Sequence, residues 1–112
     1  MKKIEAIIRP EKFDIVKDTL TDKGFGGMSV SEIKGHGNQK GVSEVWRGKR
    51  YRVEMLPKTK IELIVLDDAV EEVVQSIIET SQTGSIGDGK IFVSDILDVY
   101  RVRTGEQGDT AI

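Results

Sequence analysis

Residues 3–20 read KIEAIIRPEKFDIVKDTL, and residues 60–77 read KIELIVLDDAVEEVVQSI, the same opening 57 positions later. Each copy starts with apolar residues at every second position, Ile4, Ala6 and Ile8 in one and Ile61, Leu63 and Val65 in the other. Period two puts those side chains on one face of a strand. The spacing then changes. Val70, Val73, Val74, Ile77 and Ile78 recur at i, i+3, i+4, i+7 and i+8, the core stripe of a helix, with Asp67 and Asp68 expected as its cap. In the first copy Phe13, Val16 and Leu20 make the stripe, Pro10 suits the first turn and Gly24 suits the position after the last. Matching text closes each half: Val30-Ser31-Glu32-Ile33 and Val93-Ser94-Asp95-Ile96. Two strand–helix–strand units predict an α+β chain of the ferredoxin-like βαββαβ kind, a four-stranded sheet with two helices on one face. Ile7, Ile64 and Leu66 are expected on the other face, and an uncovered apolar face favours an oligomer.

Composition narrows the function classes. A chain of 112 residues suits one domain. Its 38% hydrophobic content is enough for a packed core, so disorder is excluded. No apolar run reaches the ~20 residues a bilayer span needs, and MKKIEAIIRPEK is too short in apolar residues for a secretory signal. Zero cysteines exclude disulfides, thiol catalysis and thiolate metal sites. A lone histidine, His36, argues against a multi-ligand zinc site. The expectation is a reduced, cytoplasmic protein. A net charge of -2 gives no general nucleic-acid footprint.

The copies differ in two places, and function is expected there. One is the central link, GHGNQKGVSEVWRGKRYR over residues 35–52, with no helical or strand period. From Lys34 to Arg52 six Lys/Arg face one acid, Glu44, so a segment of formal charge +5 rides on a remainder of -7. It reads as a mobile cationic arm, and a structureless stretch of this length is usually functional. The other is residues 81–89, SQTGSIGDG, where the second helix-to-strand connection is expected to be six residues longer than the first. Consecutive glycines let backbone amides converge on an anion, and Lys90 adds a charge. The spacing Gly84, Gly89, Lys90 approaches a Walker A motif. It fails because Ile91 stands where magnesium needs Ser or Thr, and because a strand follows instead of a helix. Arg101 and Arg103 in VYRVRTG are expected on one face of an extended segment, a spacing that suits a polyphosphate. Gln39, Lys58 and Glu62 taken singly fit exposed side chains equally well.

Together, TGSIGDGKIFV over residues 83–93, the GHGNQKG entry to the arm and RVR near the end resemble the PII nitrogen signal-transduction proteins of the GlnB/GlnK type, the GlnK branch above all. The resemblance runs from KKIEAIIRP to VYRVRTG. It implies a single PII-type domain with a target-engaging arm (the T-loop) at about residues 37–55, a phosphate-binding loop at about 82–90 and a C-terminal segment at about 97–112. It further implies a homotrimer whose clefts bind ATP or ADP, with 2-oxoglutarate sensed beside the nucleotide. Carried over by position, Gly87, Asp88, Gly89 and Lys90 cradle phosphates, and Arg101 and Arg103 reach across from a neighbour. Ser29, Gly35, Gly37, Asn38, Gln39, Glu62 and Ile64 complete the nucleotide site. Gln39 holds Mg²⁺ with the phosphates and 2-oxoglutarate, and Gly37, Lys40, Gly41, Lys58 and Gly87 complete the 2-oxoglutarate site. Trp46, Arg47 and Gly48 form the arm's tip against a target. That target is expected to be an ammonium transporter, which recruits the protein to the inner membrane face, with glutamine synthetase or another nitrogen-metabolism enzyme as the alternative. Tyr51 is the position uridylylated in many bacterial relatives, but those relatives have a tyrosine where Trp46 stands, so a modifying enzyme would meet a different surface.

Three rival classes fit the residues less well. A small nucleotide hydrolase needs a base near the γ-phosphate, and only Asp88 and Glu62 stand as candidates, neither within a motif. An RNA-binding module needs aromatics on the open sheet face, and the strands around Ile4–Ile8 and Ile61–Leu66 have none. A metal-tolerance or amino-acid-sensing trimer of related fold would not require the TGxxGDGK run. The expectation is therefore a regulator and not an enzyme.

Overall fold

The computed structural model describes residues 1–36, 43–46, 49–52 and 55–112, with side chains for 1–34 and 56–112. In chain order the elements are β1 (Lys2–Ile8), α1 (Phe13–Asp22), β2 (Ser29–His36), β3 (Ser43–Trp46), β4 (Lys49–Arg52), β5 (Met55–Val65), α2 (Val70–Ser81) and β6 (Gly89–Asp95). Four strands form one sheet in the order β2-β5-β1-β6, every pair antiparallel. This is the sheet the doubled sequence predicts, with the two first strands of the copies, β1 and β5, side by side in the middle.

The core is the shared face of those middle strands. Ile4, Ala6, Ile8, Ile61, Leu63 and Val65 are buried against Val16 and Leu20 of α1 and Val73 and Ile77 of α2. Each large apolar side chain so enclosed contributes about 1.5–3 kcal/mol. The end of α1 follows its sequence. Gly24 adopts φ 91°, its amide bonds the Thr21 carbonyl at 3.0 Å, and the Phe25 amide bonds that of Leu20 at 2.8 Å. That pair of bonds closes the helix in a left-handed turn and folds Phe25 back toward the core. Two buried hydroxyls on α2 were not apparent from the periodicity. Ser76 donates to the Glu72 carbonyl and accepts from Lys23 at the end of α1, 2.7 Å in each case, and Ser81 donates to the Ile77 carbonyl.

Several expectations are corrected. The six residues inserted in the second half do not make a six-residue longer loop: α2 runs two residues beyond the equivalent of Asp22, and β6 starts three before the equivalent of Ser29. Only one remains in the connection, because regular hydrogen bonding absorbs chain wherever a partner is within reach. Asp67 and Asp68 do not cap α2. They lie inside a 3-10 turn, Asp67–Ala69, whose preceding residue is Leu66 and which has no side-chain cap bond. Asp67 instead pairs with the Met1 amine at 2.8 Å. Leu66 lies past the end of β5, so only Ile7 and Ile64 of the three named residues belong to the open sheet face.

The centre of that open face is charged. Glu5 stands directly opposite Glu62 in the β1–β5 register, and Lys3 and Lys60 flank them. Each lysine approaches both carboxylates, at 3.9 and 3.7 Å for Lys3 and 3.9 and 3.4 Å for Lys60. Like charges placed opposite each other are unfavourable, and the two lysines offset this. Finally, the central link is not without regular structure. Its described residues form an antiparallel pair, β3 with β4, in which Trp46 is opposite Lys49 and Glu44 opposite Tyr51.

Candidate functional site

Residues 82–88 turn the chain from α2 into β6, and three glycines make the turn sterically possible: Gly84 at φ 86°, Gly87 at 101° and Gly89 at 108°. Gly89 has a second constraint. It pairs with Ile8, and a Cβ built on it would lie 1.7 Å from the Ile7 carbonyl oxygen, so only glycine permits β6 to pair with β1 at this point. The strand begins at once, as expected of a motif that is not a Walker A loop.

The turn is held from inside by Asp88. One carboxylate oxygen accepts from the amides of Thr83 and Gly84, both at 2.9 Å, and the other accepts the Thr83 hydroxyl and Arg9 Nε, the latter at 3.1 Å. Arg9 Nη2 donates to the Ile86 carbonyl at 2.9 Å. Bonds from the Thr83 hydroxyl and amide, with Arg9 and the Gly84 amide adding to them, hold Asp88 far below the ordinary carboxylate range. On the other side Lys58 Nζ donates to the Gly87 carbonyl at 2.6 Å. Burial pushes the Lys58 ammonium below its usual pKa, and the nearby Arg9 guanidinium acts in the same direction. A partly dehydrated lysine beside a second cation has electrostatic reason to accept an anion.

Arg9 escaped the reading of the sequence. One signal was available: its equivalent 57 positions later is Leu66, so a cation marks one copy where the other is apolar.

Lys58, Arg9 and the Gly87–Asp88 bend gather at one end of the sheet. The arm leaves from the same end, since Lys58 pairs with Ile33 and the last pair of that ladder is His36 with Met55. Lys90 points from β6 opposite Ile7, exposed. The other nucleotide-site candidates lie elsewhere. Ser29 is opposite Glu62, and its strand is the far edge of the sheet from β6. Three strand spacings separate those edges, about 14 Å, and Ile64 is six residues along β5 from Lys58, about 20 Å. Glu62 belongs to the charged tetrad in mid-sheet, facing Glu5 and paired with Lys3 and Lys60. Gly35 lies in the β2–β5 ladder opposite Leu56. One chain therefore does not bring all of these positions around one ligand.

Arg101 and Arg103 are not in an extended segment. They sit in a tight turn closed by the Gly105 amide on the Arg101 carbonyl at 2.7 Å, and Gly105 adopts φ 74°. Arg101 is tied to Glu106 at 3.1 Å and to the Thr110 carbonyl at 3.1 Å, and Arg103 is exposed. The expected site residues Gly37, Asn38, Gln39, Lys40 and Gly41, with Arg47 and Gly48 of the tip, lie outside the described residues. Trp46 and Tyr51 are described only as backbone, in β3 and β4. Among the described residues no three acidic or histidine side chains gather as a metal site, and no helix is long and apolar enough to cross a membrane.

Comparison with known proteins agrees with this architecture. The family model described as nitrogen regulatory protein P-II matches residues 1–106. The chain is 56% identical to the nitrogen regulatory protein P-II of Klebsiella oxytoca and 54% identical to that of Pasteurella multocida, in each case over the full length of both chains. It is also 56% identical to nitrogen regulatory protein P-II 1 of Escherichia coli K12, again over 100% of each. The doubled strand–helix–strand fold, the glycine turn before β6 and the full-length match belong together: this chain is a member of the nitrogen regulatory protein P-II family.

Proposed function

We propose that the chain works as a ligand-reading nitrogen regulator of the GlnK type, a homotrimer whose intersubunit clefts take ATP or ADP. In this reading 2-oxoglutarate binds next to the nucleotide. The arm over residues 37–55 carries the outcome to a target, an ammonium transporter before glutamine synthetase or another nitrogen-metabolism enzyme. The protein is cytoplasmic and reaches the inner membrane face only through that transporter. Nucleic acid is not a partner.

The observation that carries this reading is the gathering at one sheet end of the glycine turn, the dehydrated Lys58 and the root of the arm. A ligand placed there touches the arm's base without any relay. Three further features support it. Gly87 and Gly89 both adopt positive φ, as the backbone of an anion-binding bend requires, with Lys90 next in line. Ser29 and Lys90 at opposite edges of the sheet suit one cleft when a second copy supplies one edge and the first supplies the other. Leu97, Val102 and Phe92 are large exposed apolar side chains that such packing would cover. Without a described cluster of acidic or histidine ligands, Mg²⁺ would be held by Gln39 together with oxygens of the two ligands, and it would neutralise phosphate charge there.

A hydrolase fits these residues poorly. Asp88 is saturated by four donors, so it cannot take a proton without dismantling the turn. Glu62 is engaged with two lysines in mid-sheet.

Titration calorimetry tests the reading. ADP and Mg-ATP should bind, and 2-oxoglutarate should bind more tightly with Mg-ATP present, by a coupling of roughly 1–3 kcal/mol. Gln39→Ala should abolish the coupling and leave ADP binding. No binding of either nucleotide, or 2-oxoglutarate binding that ignores Mg-ATP, would overturn it.

A further inference from the structure

Arg9 ties together two groups that lie far from it in the sequence. Its Nε meets the Asp88 carboxylate at 3.1 Å and its Nη2 meets the Ile86 carbonyl at 2.9 Å. Both groups belong to the glycine turn, whereas Arg9 itself is the first residue after β1 and precedes Pro10, whose ring fixes the backbone there. The guanidinium is mostly enclosed, with a side-chain exposure of 17%. Asp88 in turn occupies the amides of Thr83 and Gly84. It thereby occupies the amides at the start of the turn as an internal anion.

We propose that Arg9 and Asp88 act as one positioning unit. Asp88 gathers the amide-rich start of the turn, and Arg9 fastens that folded turn to the rigid end of β1, so that Gly87, Gly89 and Lys90 present a fixed surface to the phosphates of a nucleotide. Neither side chain touches the ligand in this role. The geometry is specific to arginine. Its planar fork reaches a carboxylate and a carbonyl at once, which the single point charge of lysine cannot do along two fixed directions. The proposal rests on the reading of residues 82–90 as a phosphate cradle, and deepens it by naming what shapes the cradle.

The experiment uses Arg9→Gln, Arg9→Lys, Asp88→Asn and the Arg9→Gln/Asp88→Asn double variant. Two readouts are taken. The first needs no ligand: amide hydrogen exchange at Thr83 and Gly84, with core amides of β1 and β5 as the reference. Arg9→Gln should speed exchange at Thr83 and Gly84 at least fivefold while the reference is unchanged, even though Arg9 bonds neither amide. The second is binding of ADP and of adenosine. Each single Gln or Asn variant should weaken ADP about tenfold and leave adenosine within twofold, because only the phosphate end has lost its support. The double variant should be no weaker than the worse single one, since two residues acting as a unit are lost only once. Arg9→Lys should restore less than half of the loss.

Unchanged exchange at Thr83 and Gly84 in Arg9→Gln would overturn the proposal. So would additive losses in the double variant, equal losses for adenosine and ADP, or full rescue by lysine. If the unsubstituted protein bound no ADP, the proposed function would fall, and the exchange readout would still decide whether Arg9 fastens the turn.

Discussion

Replacing Gly89 by alanine drives a methyl group into the backbone of the neighbouring strand. The added Cβ would lie 1.7 Å from the Ile7 carbonyl oxygen and 2.8 Å from its carbon, against a limit of 3.0 Å that real Cβ atoms respect. The strand must move by about 1.3 Å, and what stands in the way is backbone at the end of the central strand β1, not a side chain that can swing aside. Moving β6 off β1 at this point forfeits one or two ladder hydrogen bonds, about 0.5–1.5 kcal/mol each. Holding alanine at φ 108° adds about 1–3 kcal/mol of backbone strain. The expected loss is therefore about 1.5–6 kcal/mol, a large share of the 5–15 kcal/mol typical of a domain. Gly84→Ala is the control. It has φ 86° and nothing within 4 Å of its Cβ, so strain alone applies, about 1–2 kcal/mol. Urea unfolding of both variants, followed by circular dichroism at one fixed protein concentration, measures the difference. Equal losses, or a Gly89→Ala protein as stable as the parent, would mean that β6 does not start where the ladder places it.

Three further outcomes are expected. Leu20→Ala removes a fully buried side chain from the core and should cost about 2–5 kcal/mol in the same urea assay. Asp88 has a folded-state pKa held below its unfolded value, so its stabilising effect is present above about pH 4 and is lost as pH falls toward the folded value. The urea midpoint should accordingly drop less steeply between pH 4 and 2 in Asp88→Asn than in the parent, and equal slopes would remove Asp88 from that account. In the charged tetrad, Lys60→Met leaves Glu5 facing Glu62 with less compensation, whereas Glu5→Gln removes the repulsion itself. The first should therefore lower the urea midpoint more than the second, and added salt should shrink the gap.

Periodicity made the scaffold legible. Ile4, Ala6 and Ile8 against Ile61, Leu63 and Val65 define two half-buried strands, and burial of a repeated face leaves few ways to assemble them. The same reasoning fails wherever hydrogen bonding and not burial decides. β3 and β4 have four residues each and no apolar alternation, so their pairing leaves no trace in the pattern. Arg101 and Arg103 looked extended because a two-residue spacing suits a strand, but the left-handed Gly105 draws the chain into a turn. The open face looked apolar because Ile7 and Ile64 are conspicuous, although Lys3, Glu5, Lys60 and Glu62 occupy its centre.

The candidate site was legible as residue types and not as roles, and Asp88 shows why. In a glycine-rich run next to a lysine, an aspartate reads equally as a group near an anion site or as an anion that substitutes for one. Only the four donors around it decide, and two of those are backbone amides that carry no sequence signature. Arg9 was hidden for a related reason: it belongs to the junction of β1 and α1, which reads as scaffold, and its partner lies 79 positions away. The same topology bears on how a ligand in the proposed site would reach the arm. β5 carries both Lys58 and the rung opposite the last residue of β2, so a ligand that displaced Lys58 from the Gly87 carbonyl would act on the strand from which the arm departs. In the proposed function, coupling between ligand and arm would need no rearrangement of the buried core, only a choice by Lys58 between the Gly87 carbonyl and an external anion.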